Sequence, residues 1–289
     1  MNIQKSFLED EKNKGCLYLV GTPIGNLEDI SYRALRILQE VECIACEDTR
    51  QTRKLLSHFQ ISTRCISYHE HNKYASGKEI VRLIQQGKDI ALVSDAGLPV
   101  ISDPGNELVQ LAIESNLSVI PIPGANAALS ALIISGLYTN HFLFYGFLPR
   151  EKKDKKEKIQ EMLETRGTII FYESPHRLLN TLNLMLEVWG DRRISIAREI
   201  TKKYEEIVRG SLEECISYME DMKVQGEYCI VVQGNIEKVE KKDELWWSLL
   251  SIQEHLDHYI NQRFDKKEAM KKVAIDRKVS KRDIYNHLL

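Results

Sequence analysis

The sequence predicts an α/β protein: an N-terminal domain on a mostly parallel sheet, a C-terminal domain on a mixed sheet, and a helical C-terminal extension. Three observations carry this. Short, near-continuous apolar runs alternate with helical patterns through the first 125 residues with little spare loop, as in βα units covered on both faces. Later apolar runs follow one another over shorter connections, which suits antiparallel neighbours. Beyond Gly234 the strand-like runs stop and a charged helical pattern begins.

Taken in order, strands are expected at Cys16–Val20, Val41–Cys46, Arg64–Tyr68, Ile90–Val93 and Ser118–Ile122, where apolar residues run almost unbroken. Helices are expected between them at Ile30–Gln39, Arg53–Phe59 and Tyr74–Gln86, with another at Ala125–Ser135. The second unit reads as strands Phe142–Phe147, Thr168–Tyr172, Ile194–Ala197, Glu206–Val208 and Tyr228–Val232, with helices near 152–165, 175–188 and 211–220. The expected divisions are an N-terminal extension 1–14, domains 15–137 and 138–235, and the extension 236–289. At 289 residues the chain has room for two domains of roughly 100–150 residues each.

Composition narrows the class. A hydrophobic content of 43% with 28% charged residues is that of an ordinary globular protein. No apolar run approaches the ~20 residues of a membrane helix, and Met1 to Gly15 lacks the apolar stretch of a signal peptide, so a cytoplasmic location is expected. The six cysteines agree, since Cys16, Cys43, Cys46 and Cys229 fall inside apolar runs. Cys43 and Cys46 are three apart on a strand and point to opposite faces, so no metal site is expected there.

The informative loops all follow strands. Ser94 to Gly105, S-D-A-G-L-P-V-I-S-D-P-G, reads as a rigid loop in which Asp103 fits a helix N-cap and Pro104 the first helical position. Gly21-Thr-Pro-Ile-Gly25 lacks the spacings of a dinucleotide fingerprint or a P-loop. Glu47-Asp-Thr-Arg50 follows the second strand, and Pro123-Gly-Ala-Asn-Ala127 leads into a helix. Glu173-Ser-Pro-His-Arg177 offers Ser174 as a cap, and Arg198 to Glu205 precedes another strand. Any one of these can be a plain turn, and Glu47, Asp48 and Arg50 can be a solvated ion-pair group. Together they describe two sets of strand edges facing across a cleft, where ligand sites concentrate.

The strings V-G-T-P-I-G-N-L-E-D-I, E-D-T-R, S-D-A-G-L-P-V-I-S-D-P-G, P-G-A-N-A, F-Y-E-S-P-H-R and R-E-I-T-K occur in this order between Leu17 and Gly234. The series resembles that of the ribosomal RNA small subunit methyltransferase I family, within the tetrapyrrole-methylase-like, class III S-adenosylmethionine enzymes. The resemblance implies 2′-O-methylation of a cytidine near the decoding centre of 16S ribosomal RNA, by a homodimer whose S-adenosylmethionine sits between two α/β domains. It implies cofactor contacts from Pro23, Ile24 and Gly25, from Asp95, Ala96, Gly97, Ile101 and Ser102, and from Gly124, Asn126 and Ala127. Tyr172 and Ile200 would close the site from the second domain. Position 98 is Leu where Thr is expected in this family and Asp in the tetrapyrrole enzymes, so any contact there falls to backbone. Asn126 stands where Ser or Thr would also fit.

Methyl transfer from a sulfonium is an in-line displacement that needs alignment and a dry cleft, and a ribose hydroxyl is a weak nucleophile that a base or a cation would help. Glu47, Asp48 and Glu173 are the candidate bases, and Arg50 and Lys202 the candidate cations. The tail sharpens the substrate: Arg263 to Arg282 holds nine Lys or Arg against three acids, +6 in a chain of net −2. Lys266–Val273 and Lys281–Leu288 read as two helices, the second capped by Ser280 with Asp283 at N3 and Val279 and Ile284 at the staple positions. Contact with the phosphates of ribosomal RNA on the small subunit is one reading, and a solvated tail packed on its own dimer is the other. Arg150 to Lys158 is a second basic cluster, and Trp246 and Trp247 are expected to anchor the tail. Two alternatives stay open. One is a class III methylase of a small molecule or protein; the other is a non-catalytic RNA-binding assembly factor.

Overall fold

A computed structural model describes residues 3–4, 14–235, 247, 250–277 and 279–287. Its first sheet holds five parallel strands, β1 (Cys16–Val20), β2 (Cys43–Cys46), β3 (Arg64–Ser67), β4 (Ile90–Val93) and β5 (Ser118–Ile122), in the order β3-β2-β4-β1-β5. Four helices connect them: α1 (Tyr32–Glu40), α2 (Thr49–His58), α3 (Lys73–Gln85) and α4 (Asn106–Glu114). Strand alternation explains the layers. Leu17, Cys43, Ala45, Ile90 and Leu92 pack with Ile80, Ile84 and Leu108 of α3 and α4, whereas Val20, Ile44, Cys46 and Val93 pack with Ile37, Leu38 and Leu56 of α1 and α2. The chain leaves β1 toward one face and β4 toward the other, and these two strands are neighbours. Their carboxyl ends therefore border the switch-point crevice of an open α/β sheet.

The second sheet comprises β6 (Phe142–Phe147), β7 (Thr168–Glu173), β8 (Arg193–Arg198), β9 (Glu206–Ser211) and β10 (Tyr228–Val232), ordered β6-β7-β10-β8-β9. β6 and β7 are parallel and the remaining pairs antiparallel, so the sheet is mixed as expected. Helices α6 (Lys152–Glu161), α7 (Leu178–Trp189) and α8 (Leu212–Glu220) bury one of its faces around Ile169, Phe171, Ile196 and Ile230. Helix α5 (Ala127–Ser135) covers the other, packing Ala128, Ala131 and Leu132 on Ile170, Ala197, Cys229 and Val231. A helix that directly follows β5 thus packs on the second sheet.

The C-terminal unit has its own core. Helices α9 (Ile252–Asn261), α10 (Lys266–Asp276) and α11 (Lys281–His287) enclose Leu256, Ala269, Met270, Val273, Ala274 and Ile284. The Ser280 cap forms: its hydroxyl accepts from the Asp283 N–H at 3.2 Å while Asp283 accepts from the Ser280 N–H at 3.1 Å. Trp247 stacks on His255 at 5.4 Å and carries the Arg277 guanidinium at 5.1 Å. Trp246, Lys278 and Leu288 lie outside the described residues, as does most of the N-terminal extension, although Gln4 exchanges two hydrogen bonds with the Val119 backbone.

Three expected helix starts are displaced. Helix α4 begins at Asn106 behind Gly105, whose φ of 142° suits glycine alone, so Asp103 is not its cap and Pro104 is not its first residue. Helix α7 begins at Leu178. Ser174 instead gives its carbonyl to the N–H groups of Arg177 and Leu178 in a preceding turn. Helix α2 starts four residues early because Asp48 caps it, accepting from the Arg50 N–H at 2.8 Å.

Candidate functional site

The strand-end loops converge because their backbones touch. Thr22 and Gly97 exchange N–H···O bonds of 2.8 and 3.1 Å, and the buried Thr22 hydroxyl donates to the Ser94 carbonyl at 3.2 Å. A Cβ on Gly21 would stand 2.8 Å from Gly124 Cα, so the loops after β1 and β5 approach as only two glycines allow. Beyond Gly97 the loop carries two non-glycine residues in left-handed conformations, Val100 (φ 76°) and Ser102 (φ 62°). A bulge in β6 at Gly146 (φ 80°) brings the second sheet against it, because a Cβ there would meet Ser102 Oγ at 3.0 Å.

Between these walls lies a cleft of about 440 Å³, a volume common for sites that take a nucleoside-sized ligand. Ile24, Leu98, Ile101, Phe147 and Ile200 supply apolar surface, and Asp95, Asp103 and Glu227 supply carboxylates. Tyr172 closes one side: its phenol oxygen accepts the Ala128 N–H at 3.2 Å, its ring packs on Phe144 and Phe147, and burial pushes its pKa up to about 12. Asn126 caps α5, accepting from the Leu129 N–H at 2.9 Å.

Of the residues singled out in the sequence, Ile24, Asp95, Ala96, Gly97, Ile101, Ser102, Asn126, Ala127, Tyr172, Glu173 and Ile200 all line this cleft. Pro23 and Gly25 face a shallower depression beside it, which shares Asp95 and is walled by Gln51, Lys54 and His58. Gly124 acts through its contact with Gly21.

The four candidate catalytic residues sit differently. Glu47 and Arg50 are exposed, and Arg50 pairs with Asp48 at 2.9 Å, drawing the Asp48 carboxyl down to about 2. Lys202 reaches Glu227 at 2.7 Å and Glu199 at 3.0 Å; burial alone would lower its pKa, but these two bonds outweigh it and hold the ammonium charged. Its stem passes so close to Gly25 that a Cβ there would lie 2.3 Å from Lys202 Cγ. Glu173 follows Tyr172 on β7 and so turns to the opposite face. There its carboxylate, about 1% exposed, takes the Thr181 hydroxyl at 2.7 Å and the Ser174 N–H at 2.9 Å, with Arg177 Nε at 3.0 Å and Lys155 Nζ at 3.9 Å. Its contribution to the cleft is made from the end of the strand, with the carboxylate engaged elsewhere.

Sequence reasoning missed Asp103, Phe147, Ala197 and the run Gly226 to Cys229. Burial pushes the Asp103 carboxyl up, and the like charges of Glu47 and Asp95 add to that, to about 6. The available signal for the run was a Gly two residues before an apolar strand; Gly226 has φ 93° and a Cβ there would meet the Glu199 side chain at 2.8 Å.

Residues 16–216 match the family model described as Tetrapyrrole (Corrin/Porphyrin) Methylases. The chain is 56% identical over 286 residues to the Ribosomal RNA small subunit methyltransferase I of Halalkalibacterium halodurans, covering 99% of this chain and 98% of that one. It is 50% identical over 283 residues to the Bacillus subtilis protein of the same name, covering 98% and 97%. Among solved structures, cobalt precorrin-4 methyltransferase shares the fold at a TM-score of 0.58 and 15% identity, covering 75% of this chain and 94% of its own.

Proposed function

The chain belongs to the ribosomal RNA small subunit methyltransferase I family, and from that premise we propose that it methylates 16S ribosomal RNA on the small subunit, using S-adenosylmethionine. The finer reading is transfer to the 2′-hydroxyl of a cytidine near the decoding centre. The observation that carries the proposal is the similarity to relatives of that name along nearly the whole chain.

The cleft suits such a cofactor. Ile24, Leu98, Ile101 and Ile200 can enclose a flat adenine, and the backbone at Ala96 can meet the amino-acid end. Asp95, Asp103 and Glu227 favour a ligand that carries positive charge. When bound, the cofactor supplies an electrophilic sulfonium methyl. The protein's own work is to align the acceptor with it, exclude water and manage the acceptor's proton.

Homodimer formation is supported by apolar surface on α5 and the edge strand β6, where Leu129, Ile133, Phe142 and Leu143 are exposed. Contact with RNA by the C-terminal unit is supported by its exposed Lys266, Lys267, Lys271, Lys281 and Arg282. A cytoplasmic location suits a ribosomal substrate.

Incubating the chain with labelled S-adenosylmethionine and small subunits from cells lacking the enzyme, then mapping the labelled nucleotide, tests the proposal. Label in a cytidine ribose is expected. Label on a base would refute the 2′-O reading, and failure to label RNA would refute the activity.

A further inference from the structure

We propose that the depression beside the cleft seats the acceptor nucleotide, with its nucleobase on Leu27 and Leu55 and its phosphate at Lys54 and His58. The inference rests on the RNA methyltransferase reading above and assigns the substrate half of that site to the turn after β1 and one face of α2.

Helix geometry builds the wall. Gln51, Lys54, Leu55 and His58 recur at i, i+3, i+4 and i+7 of α2, so they form one stripe, and all four line the depression. Thr52 and Leu56, on the inward side of the helix, are buried. The helix is fixed at its start. The Asp48 carboxylate caps its first turn, and the Asp48 N–H donates to Asp95 Oδ1 at 3.3 Å. Asp95 borders both cavities, so this bond ties the stripe to the edge of the cleft.

The two cavities part along one strip of backbone and join at Asp95. Thr22 lines the depression and Gly97 the cleft, and these two residues exchange backbone hydrogen bonds of 2.8 and 3.1 Å. In the next segment Ile24 lines the cleft while Pro23 and Gly25 line the depression. A nucleotide in the depression can therefore extend its ribose past the exposed Asp95 to a methyl group presented in the cleft. Such adjacency is what an in-line displacement needs, because the acceptor must be held in line with the methyl carbon from outside the cofactor's own pocket.

Chemistry distinguishes the cavities. The cleft carries Asp95, Asp103 and Glu227, which suit a cationic ligand and repel a phosphate. The depression carries Lys54 and His58, with Asp95 at its border. Among the described residues the Lys54 ammonium has no acid partner; it donates to Gln51 Oε1 at 3.1 Å, and both side chains are exposed. His58 meets Phe59 edge-on at 4.8 Å, and its ring nitrogens have no hydrogen-bond partner among the described residues. An imidazole N–H can donate to a phosphate oxygen even when the ring is neutral. Leu27, 40% exposed on the single turn Leu27–Asp29, joins the half-buried Leu55 in offering apolar surface of the kind on which an unpaired nucleobase rests. The Gln51 amide can both donate to and accept from a nucleobase edge. At about 490 Å³ the depression has room for one nucleotide.

The test uses the full chain and small subunits from cells lacking the enzyme. Lys54→Ala combined with His58→Ala should lower kcat/KM for subunits roughly tenfold, mainly through KM. Leu27→Ser should slow single-turnover methylation at saturating subunits by roughly tenfold, because the acceptor is less well aligned. Affinity for S-adenosylhomocysteine should stay within about threefold of wild type by calorimetry, and Tm within about 2 °C, since these side chains are exposed and lie outside the cleft. Arg53→Ala removes an exposed cation of α2 that does not line the depression, and should leave kcat/KM within about threefold. A benzophenone amino acid in place of Leu27 should cross-link, on irradiation of the complex with subunits, to the nucleotide that acquires the methyl group or to its immediate neighbour.

An active wild type whose kinetics the double substitution and Leu27→Ser leave unaltered overturns this assignment alone, as do cross-links that map only to distant nucleotides. A defect equalled by Arg53→Ala overturns it in favour of diffuse charge on α2. A defect accounted for by lost S-adenosylhomocysteine affinity overturns it in favour of a larger cofactor site. A wild type that methylates no subunit overturns the underlying reading and this inference with it.

Discussion

Replacing Glu173 by Gln separates its two conceivable roles, structural charge partner and catalytic base. Its carboxylate and the Lys155 ammonium are about 1% and 3% exposed, 3.9 Å apart, with Thr181 bonded to both at 2.7 and 2.9 Å and Arg177 beside them. Glutamine keeps the shape and removes the charge, leaving Lys155 facing a guanidinium with no buried anion. Burial already lowers the Lys155 pKa, and part of the penalty is relieved as that lysine loses its proton. Breaking a buried pair costs about 3–5 kcal/mol, and the lower end applies here. At ~2–4 °C per kcal/mol, Tm should drop by roughly 6–12 °C. Glu173→Gln combined with Lys155→Met should regain most of that, since both charges leave together. Thermal denaturation at pH 7.5 reads the first effect, and single-turnover methylation well below Tm reads the second. The rate per folded molecule should stay within about threefold, because no transition-state contact is removed. An unchanged Tm with a lost rate would refute the structural assignment and restore the residue to the candidate bases.

The remaining expectations use other parts of the fold. Gly124→Ala puts a Cβ 2.8 Å from Gly21 Cα, against an ordinary contact of at least 3.4 Å, and neither backbone has slack. A destabilisation of about 1–3 kcal/mol and a loss of roughly tenfold or more in S-adenosylhomocysteine affinity are expected, by denaturation and calorimetry. Asp103→Asn should stabilise the protein at pH 7. The native pKa of about 6 lies above the ordinary 3.8, so the folded form holds its proton more tightly, and wild-type stability declines as pH rises between those values. Allowing for solvent, the gain is roughly 1–2 kcal/mol near neutrality and vanishes below pH 4, which Tm against pH will show. Changing Lys267, Lys271, Lys281 and Arg282 to Ala should weaken subunit binding and reduce its salt dependence by up to one counterion per lost phosphate contact, leaving S-adenosylhomocysteine affinity unchanged.

The two-sheet architecture was legible because buried strands must be apolar almost throughout. Cys16–Val20, Ile90–Val93 and Tyr228–Val232 stand where the apolar runs put them, and so do the more exposed edge strands Ser118–Ile122 and Phe142–Phe147. Helix starts were less legible. Asp103-Pro104 and Ser174-Pro175 each carry the composition of a cap, but a cap needs backbone geometry as well as a side-chain oxygen. Gly105 at positive φ and the turn over 174–177 moved both starts downstream. Asp48, a candidate base and ion-pair partner by its charge, is the residue that does cap a helix nearby.

Candidate site residues divided in the same manner. Small and apolar loop residues such as Ile24, Gly97, Ala127 and Ile200 were identifiable from the motif series and line the cleft. The charged ones could not be ranked from the sequence, since a carboxylate's availability depends on what surrounds it. Glu173 and Tyr172 are adjacent in the chain and face opposite sides of β7, one toward Lys155 and Arg177, the other toward α5.

By itself the sequence determined the apolar strands, the order of the loops and the charged tail, because local pattern and composition suffice for those. Only the tertiary structure decided that the loops after β1, β4 and β5 touch at Gly21, Gly97 and Gly124, and that β6 bulges against Ser102. It also left the Ser94–Gly105 loop presenting one unpaired acid, Asp103, to the cleft. Proton affinity and access are set by neighbours distant in the chain, and strand register with loop packing selects those neighbours.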